Sequence, residues 1–335
     1  MIFGAALFAG LSAVGETKWD EAFTNVTVRS SKDGTEQPCR FYAPKDAKGK
    51  VPLLVALHTW SYDWKAKSPA EWALGECKRR GWALVYPNFR GPNWTPAACG
   101  SDLAVQDILD AVAYAKANAP VDEDRVYVIG ASGGGMMTLL LAGRAPKLWA
   151  GLYSACPISD CARWHGDSQR LKNAYWKHLE AACGGTPAEK PEEYRRRSPL
   201  TYLAKAREAG VPVYIATGIH DGWRGSVPVG HAFRAFNALA DEKDRVSEAD
   251  IAEIERTRKV PGAIAYRGAA DPFYSQKLRI HFRRTSANAR FTLFEGGHAG
   301  NFPAGFDFLS RQKKGRPADF TLPQTATGNA EALKR

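Results

Sequence analysis

The sequence lacks the marks of several broad protein classes. No uninterrupted apolar stretch reaches the roughly 20 residues that span a bilayer, so no transmembrane helix is expected. There is no G-x-G-x-x-G and no glycine loop followed by Lys-Ser/Thr, so neither common phosphate-cradling signature is present. The six cysteines form no CxxC pair, and no local Cys/His group has zinc-ligand spacing. No internal repeat is visible, which excludes a solenoid or propeller built from this chain alone. The 46 basic residues outnumber the 35 acidic ones but are scattered. They do not alternate with aromatics along one face, so the charge favours a solvated basic surface over a nucleic-acid site.

What is present is ordinary globular material: 335 residues, 44% hydrophobic and 24% charged, ample for a buried core. Met1 to Gly15 is an apolar stretch of signal-peptide length, with Ala13-Val14-Gly15 as a small-residue cleavage site and no basic n-region. It is read as a partial signal and leads to the expectation of a secreted or periplasmic protein. Six cysteines allow 15 pairings. Cys161 and Cys183, which bracket one short excursion, are the expected bridge, and Cys77 is expected to be a buried thiol.

From Val26 onward the chain alternates between strand and helix patterns. Val26 to Arg29 and Cys39 to Ala43 flank the turn signal Asp33-Gly34 and read as a hairpin. Apolar runs of strand length follow at Val51–Leu57, Trp82–Tyr86, Arg125–Ile129, Ala150–Ala155, Val211–Thr217 and Arg290–Phe294. Helical patterns lie between them at 68–80, after Ser101, at 133–141 and at 226–240. This order predicts an α/β fold with a doubly wound, mostly parallel sheet. One domain is expected over 20–312, with a helical cap insertion at about 160–210 and a second excursion at about 241–287. Residues 313–335 form a polar tail, expected to be extended or disordered.

Gly130-Ala131-Ser132-Gly133-Gly134 fits G-x-S-x-G, and its context gives the pattern meaning. It follows a strand and opens a helix, the sharp turn that lifts a serine hydroxyl above a sheet. Serine needs a base, and the base needs an orienting acceptor. His298, after the last strand and two glycines, fills the first role; Asp221, after Val211–Thr217, fills the second. Asp160 is the rival acid, and His231, within a helix, reads as structural. One oxyanion donor is the N–H of Gly133, and the other comes from the loop His58-Thr59-Trp60-Ser61, with Trp60 the expected donor.

These features resemble the α/β-hydrolase superfamily, within it the prolyl-oligopeptidase-like and polysaccharide-esterase-like branch, over roughly residues 37–312. Gly100-Ser101-Asp102 to Asp107, Arg197-Ser198-Pro199-Leu200, and Asp221 with Gly225-Ser226-Val227-Pro228 add to the likeness. The resemblance implies a Ser132–Asp221–His298 triad working without metal or organic cofactor. Thr59 departs from it, since many such hydrolases carry His-Gly there.

Only about 50 residues precede the first core strand, too few for the propeller of the peptidases in this branch, which lowers the peptidase reading. Trp60, Trp64, Trp94, Trp164 and Trp223 fall after strand C-termini or in the cap, the edge where open α/β sheets bind ligands. Trp94, Trp164 and Trp223, with His58, are expected to bind substrate, since an indole face suits a sugar or an aromatic acid. The expected activity is therefore an ester hydrolase acting on acetyl or feruloyl groups of a small or polysaccharide substrate. A serine peptidase and a non-catalytic binding protein are the alternatives; the intact Ser, Asp and His positions speak against the latter.

Overall fold

The computed structural model describes residues 18–323; the apolar N-terminal stretch lies outside them. In chain order the main elements are β1 (Thr24–Arg29), β2 (Glu36–Tyr42), β3 (Val51–Leu57), α1 (Lys67–Arg80), β4 (Ala83–Pro87), α2 (Asp102–Asn118), β5 (Val121–Ala131), α3 (Gly133–Arg144) and β6 (Gly151–Ala155). Then come α4 (Cys161–Arg170), α5 (Tyr175–Cys183), α6 (Pro191–Arg197), α7 (Leu203–Glu208), β7 (Val213–Gly218), α8 (Gly230–Leu239), α9 (Glu248–Thr257), β8 (Ile280–Ser286), β9 (Ala289–Phe294) and α10 (Phe302–Arg311).

The strands form one sheet in the order β1-β2-β4-β3-β5-β6-β7-β9-β8. β4, β3, β5, β6, β7 and β9 run parallel, while β1 and β2 at one edge and β8 at the other pair antiparallel. The central strands are continuous apolar runs because helices cover both faces. Leu53, Val55, Val126 and Val128 enter the core with α2, α3 and α8; Leu54, Ala56, Tyr127 and Ile129 enter the one with α1 and α10.

Local chemistry sets the helix ends. The Ser101 hydroxyl accepts from Ala104 N–H at 3.0 Å and caps α2. Ser68 does not cap α1, which begins one residue earlier with Ala66 at the cap and no side-chain bond. β8 carries no alternating pattern in the sequence: it is an edge strand in which only Phe282 and Ser286, four residues apart, are buried.

α4 to α7 lie between β6 and β7. Arg197, buried, fastens this cap by donating to the carbonyls of Ala98 at 2.9 Å, Cys99 at 3.2 Å and Pro96 at 3.0 Å. Residues 313–323 pack onto the body: Phe320 stacks on Phe308 at 5.2 Å and its carbonyl accepts from Arg290 at 2.8 Å. The expected Cys161–Cys183 bridge is corrected, since all six cysteines are unpaired and buried. The Cys161 thiol instead donates to Arg197 O at 3.5 Å, and the neighbouring Cys99 together with burial pushes it well above the ordinary range.

Candidate active site

The site lies at the C-terminal edge of β5, β6, β7 and β9. Ser132 leaves β5 with φ 57° and ψ −119°, a left-handed conformation unusual for a residue with a side chain. The turn needs its glycines. A Cβ on Gly130 would stand 2.4 Å from Gly134 O, and one on Gly134 would stand 2.6 Å from Leu57 O. Ser132 N–H donates to Ala155 O at 2.9 Å, pinning the turn to the end of β6.

Asp221 and His298 come from loops that follow β7 and β9, and the loops are zipped together. Ile219 N–H donates to Phe294 O at 2.8 Å, and His220 N–H to Gly296 O at 2.9 Å. Glu295 adds a side-chain clasp, 2.7 Å from His220 Nε2 and 2.8 Å from His281 Nε2. Its carboxyl is held below the ordinary range, first by the bond to His281 and then by that to His220. Within this frame His298 Nδ1 lies 2.8 Å from Asp221 Oδ2.

Asp221 is buried, and its carboxylate is oriented by the N–H groups of Gly222 at 2.9 Å and Val227 at 3.2 Å and by the Thr217 hydroxyl at 3.2 Å. Burial alone would hold His298 neutral, but the Asp221 carboxylate outweighs it and raises the imidazole well above its ordinary value. The Cys156 sulfur, one residue past β6, lies within 4.8 Å of a His298 ring nitrogen. Ser132 is thus pinned to the end of β6, and His298 stands beside it. The rival acid Asp160 is elsewhere, capping α4 through Arg163 N–H at 3.0 Å.

The oxyanion side is equally close-packed. A Cβ on Gly133 would stand 2.7 Å from the backbone nitrogen of Trp60, so the backbones at Gly133 and Trp60 lie against each other. The Trp60 indole is buried and donates through Nε1 to His178 Nδ1 at 3.1 Å. His178, on α5, was missed in the sequence; burial lowers its pKa, and the Trp60 indole N–H makes Nδ1 the accepting nitrogen. Its spacing of three residues from Tyr175 puts both on one face of the helix, the only signal available beforehand.

The expected substrate-binding residues divide into two groups. Two are corrected. His58 is fully buried, stacked on Phe89 at 3.7 Å, with Nε2 2.8 Å from Asn88 O. Trp164 is fully buried between Trp60 and Tyr175, its Nε1 donating to Ser226 O at 2.8 Å. Both rings can be enclosed because their polar atoms have partners: the Trp164 indole N–H on Ser226 O, and the two His58 nitrogens beside Thr59 O and Asn88 O. Trp94 and Trp223 are exposed. Trp94 packs on His178 at 4.9 Å, and Trp223, on the Asp221 loop, carries the Arg258 guanidinium 3.3 Å over its ring.

Among the described residues no helix is long and apolar enough to cross a membrane. A family model for the prolyl oligopeptidase family matches residues 70–253, more than half of the chain. Poly(3-hydroxyalkanoate) depolymerase C of Paucimonas lemoignei is 30% identical over 151 residues, covering 41% of this chain and 34% of that protein. The uncharacterized peptidase YtmA of Bacillus subtilis is 28% identical over 145 residues, covering 42% of this chain and 53% of that protein. Among solved structures, the Pyrococcus horikoshii acylaminoacyl peptidase has a TM-score of 0.60 at 16% identity, covering 90% of this chain and 43% of that one. A puromycin hydrolase has a TM-score of 0.59 at 18% identity, covering 86% and 39%. The chain therefore spans only about half, or less, of the length of these proteins. The structural likenesses show the fold, and together with the family match they make it an α/β-hydrolase fold.

Proposed function

The chain belongs to the prolyl oligopeptidase family of serine hydrolases, and from that premise we propose that it cleaves carboxylic esters through an acyl-enzyme, with acetylated or feruloylated carbohydrate as the preferred substrate. The observation that carries the chemistry is the Asp221–His298 pair at 2.8 Å, set beside the strand end to which Ser132 is pinned at its positive-φ turn.

His298 takes the proton of Ser132 as the hydroxyl oxygen attacks the ester carbonyl. Asp221 holds the ring and stabilises the imidazolium that forms. The N–H groups of Gly133 and Trp60 receive the developing oxyanion. His298 returns the proton to the departing alcohol, and water then cleaves the acyl-enzyme by the same steps in reverse roles.

The ester reading is supported by the exposed Trp94, which meets His178 and so neighbours Trp60, and offers a flat face for a sugar or aryl ring. The depolymerase similarity supports it as well, because poly(3-hydroxyalkanoate) is joined through ester bonds. The second reading is a serine peptidase, favoured by the similarity to peptidase YtmA. We extend the proposal to action outside the cytoplasm, for which the apolar stretch Met1 to Gly15 is the support.

The test is hydrolysis of a p-nitrophenyl acyl series, acetylated xylan, methyl ferulate and a proline-containing peptide anilide, with Ser132→Ala as control. Ester turnover without anilide cleavage, abolished in a folded Ser132→Ala, is the expected result. Anilide cleavage at comparable efficiency would move the protein to the peptidase reading, and unchanged turnover in the folded variant would remove Ser132 as nucleophile.

A further inference from the structure

Cys156 is the polar residue at the catalytic edge to which the hydrolytic steps assign no task. Its position is tightly held. Its N–H donates to Ala216 O at 2.8 Å, and its backbone takes a left-handed φ of 37° one residue beyond β6. That placement sets the thiol beside the His298 ring. Cys156 Sγ, a ring nitrogen of His298 and a carboxylate oxygen of Asp221 all lie within 4.8 Å of one another.

A thiol, an imidazole and a carboxylate make a donor set that suits a borderline-soft divalent cation. Bond lengths of about 2.0–2.3 Å at tetrahedral angles put such donors roughly 3.3–3.6 Å apart. The sulfur would have to approach the other two donors by about 1.5 Å at most, while His298 Nδ1 and Asp221 Oδ2, now 2.8 Å apart, would have to open by about 0.5 Å to admit the ion. His298 can supply that movement, because it is the least enclosed of the three, with 23% of its side chain exposed. The same opening admits an ion from solvent. A fourth position would remain for water.

We propose that Cys156, His298 and Asp221 form an inhibitory binding site for zinc or cadmium. Binding forms metal–sulfur, metal–nitrogen and metal–oxygen bonds and releases the thiol proton to solvent; the proton on the His298 nitrogen that takes the ion is displaced to solvent from an imidazolium or to the other ring nitrogen of a neutral ring, and no electrons are transferred. With a ring nitrogen on the ion and the ring tied to Cys156, His298 no longer accepts the Ser132 proton. The inhibition rests on the reading of His298 as the base, whereas the binding rests on the geometry alone.

Two measurements separate these claims. The first titrates cadmium into the folded Ser132→Ala protein and follows the ultraviolet cadmium–thiolate charge-transfer band, with Ser132→Ala/Cys156→Ser for comparison. The site predicts a saturable band that the second variant loses. No band, or the same band in both proteins, overturns the proposal. The second measures zinc inhibition of p-nitrophenyl acetate hydrolysis and its reversal by EDTA, each protein referred to its own metal-free rate. Cys156→Ser, or Cys156→Ala if the serine variant folds poorly, should need at least tenfold more zinc for half-inhibition. Equal sensitivity overturns the inhibitory role. A Cys156-dependent cadmium band in a protein that turns over no ester supports the site and removes only the functional reading.

Discussion

Gly133 and Trp60 approach each other so closely that a methyl group on the glycine would stand 2.7 Å from both the backbone nitrogen and the Cα of the tryptophan. The contact brings together two segments 73 positions apart in number, one leading out of β3 and one opening α3, from which the proposed oxyanion donors come. Gly133→Ala must therefore push the Trp60 loop away from the serine. The expected outcome is a loss of about 10²–10³ in kcat, the effect of removing one oxyanion donor, with little change in KM. Steady-state kinetics on a p-nitrophenyl ester decide it; wild-type kcat would mean that Trp60 N–H takes no part.

The raised pKa of His298 has a directional consequence for activity. The base must be neutral to accept the Ser132 proton, so turnover should rise with pH through an inflection above the ordinary histidine value of about 6.5. Asp221→Asn removes the negative charge that lifts the imidazole, so the inflection should move to lower pH. In addition kcat should fall by roughly 10⁴, because the ring loses its orienting acceptor. A pH–rate profile of the two proteins is the check, and an inflection that stays in place would exclude Asp221 as the charge that sets it.

Arg90 predicts a stability effect away from the chemistry. Its guanidinium lies 2.5 Å from Asp107 on α2, 2.8 Å from Asp33 in the β1–β2 turn, and 3.1 Å from the Ser30 hydroxyl. The Asp107 side chain is 1% exposed, so Arg90→Met strands a buried carboxylate. A loss of about 3–5 kcal/mol is expected. It should be read from the urea midpoint at unchanged m-value, with partial recovery in Arg90→Met/Asp107→Leu. A shift under 1 kcal/mol, the scale of exposed pairs, would contradict the buried-charge argument.

The sequence by itself determined the alternation of strands and helices that makes a mostly parallel sheet, the serine at the turn after β5, and the aspartate and histidine after β7 and β9. Those are local patterns: a strand buried on both faces must be apolar along its length, and a sharp strand-to-helix turn must carry glycines. The tertiary structure decided everything that depends on segments distant in the chain. His58 and Trp164 look like binding residues because they follow strands or sit in the cap, yet packing encloses both. His178 gains its place only because α5 folds over the loop after β3 and brings Nδ1 within 3.1 Å of the Trp60 indole. Cys156, Asp221 and His298 show no metal-ligand spacing, since three separate strand ends bring them together. Cys161 and Cys183 look pairable by separation, but each is buried with a free thiol. A residue's neighbours along the chain specify its backbone, whereas its exposure and its chemical partners follow from which strand ends the sheet sets side by side.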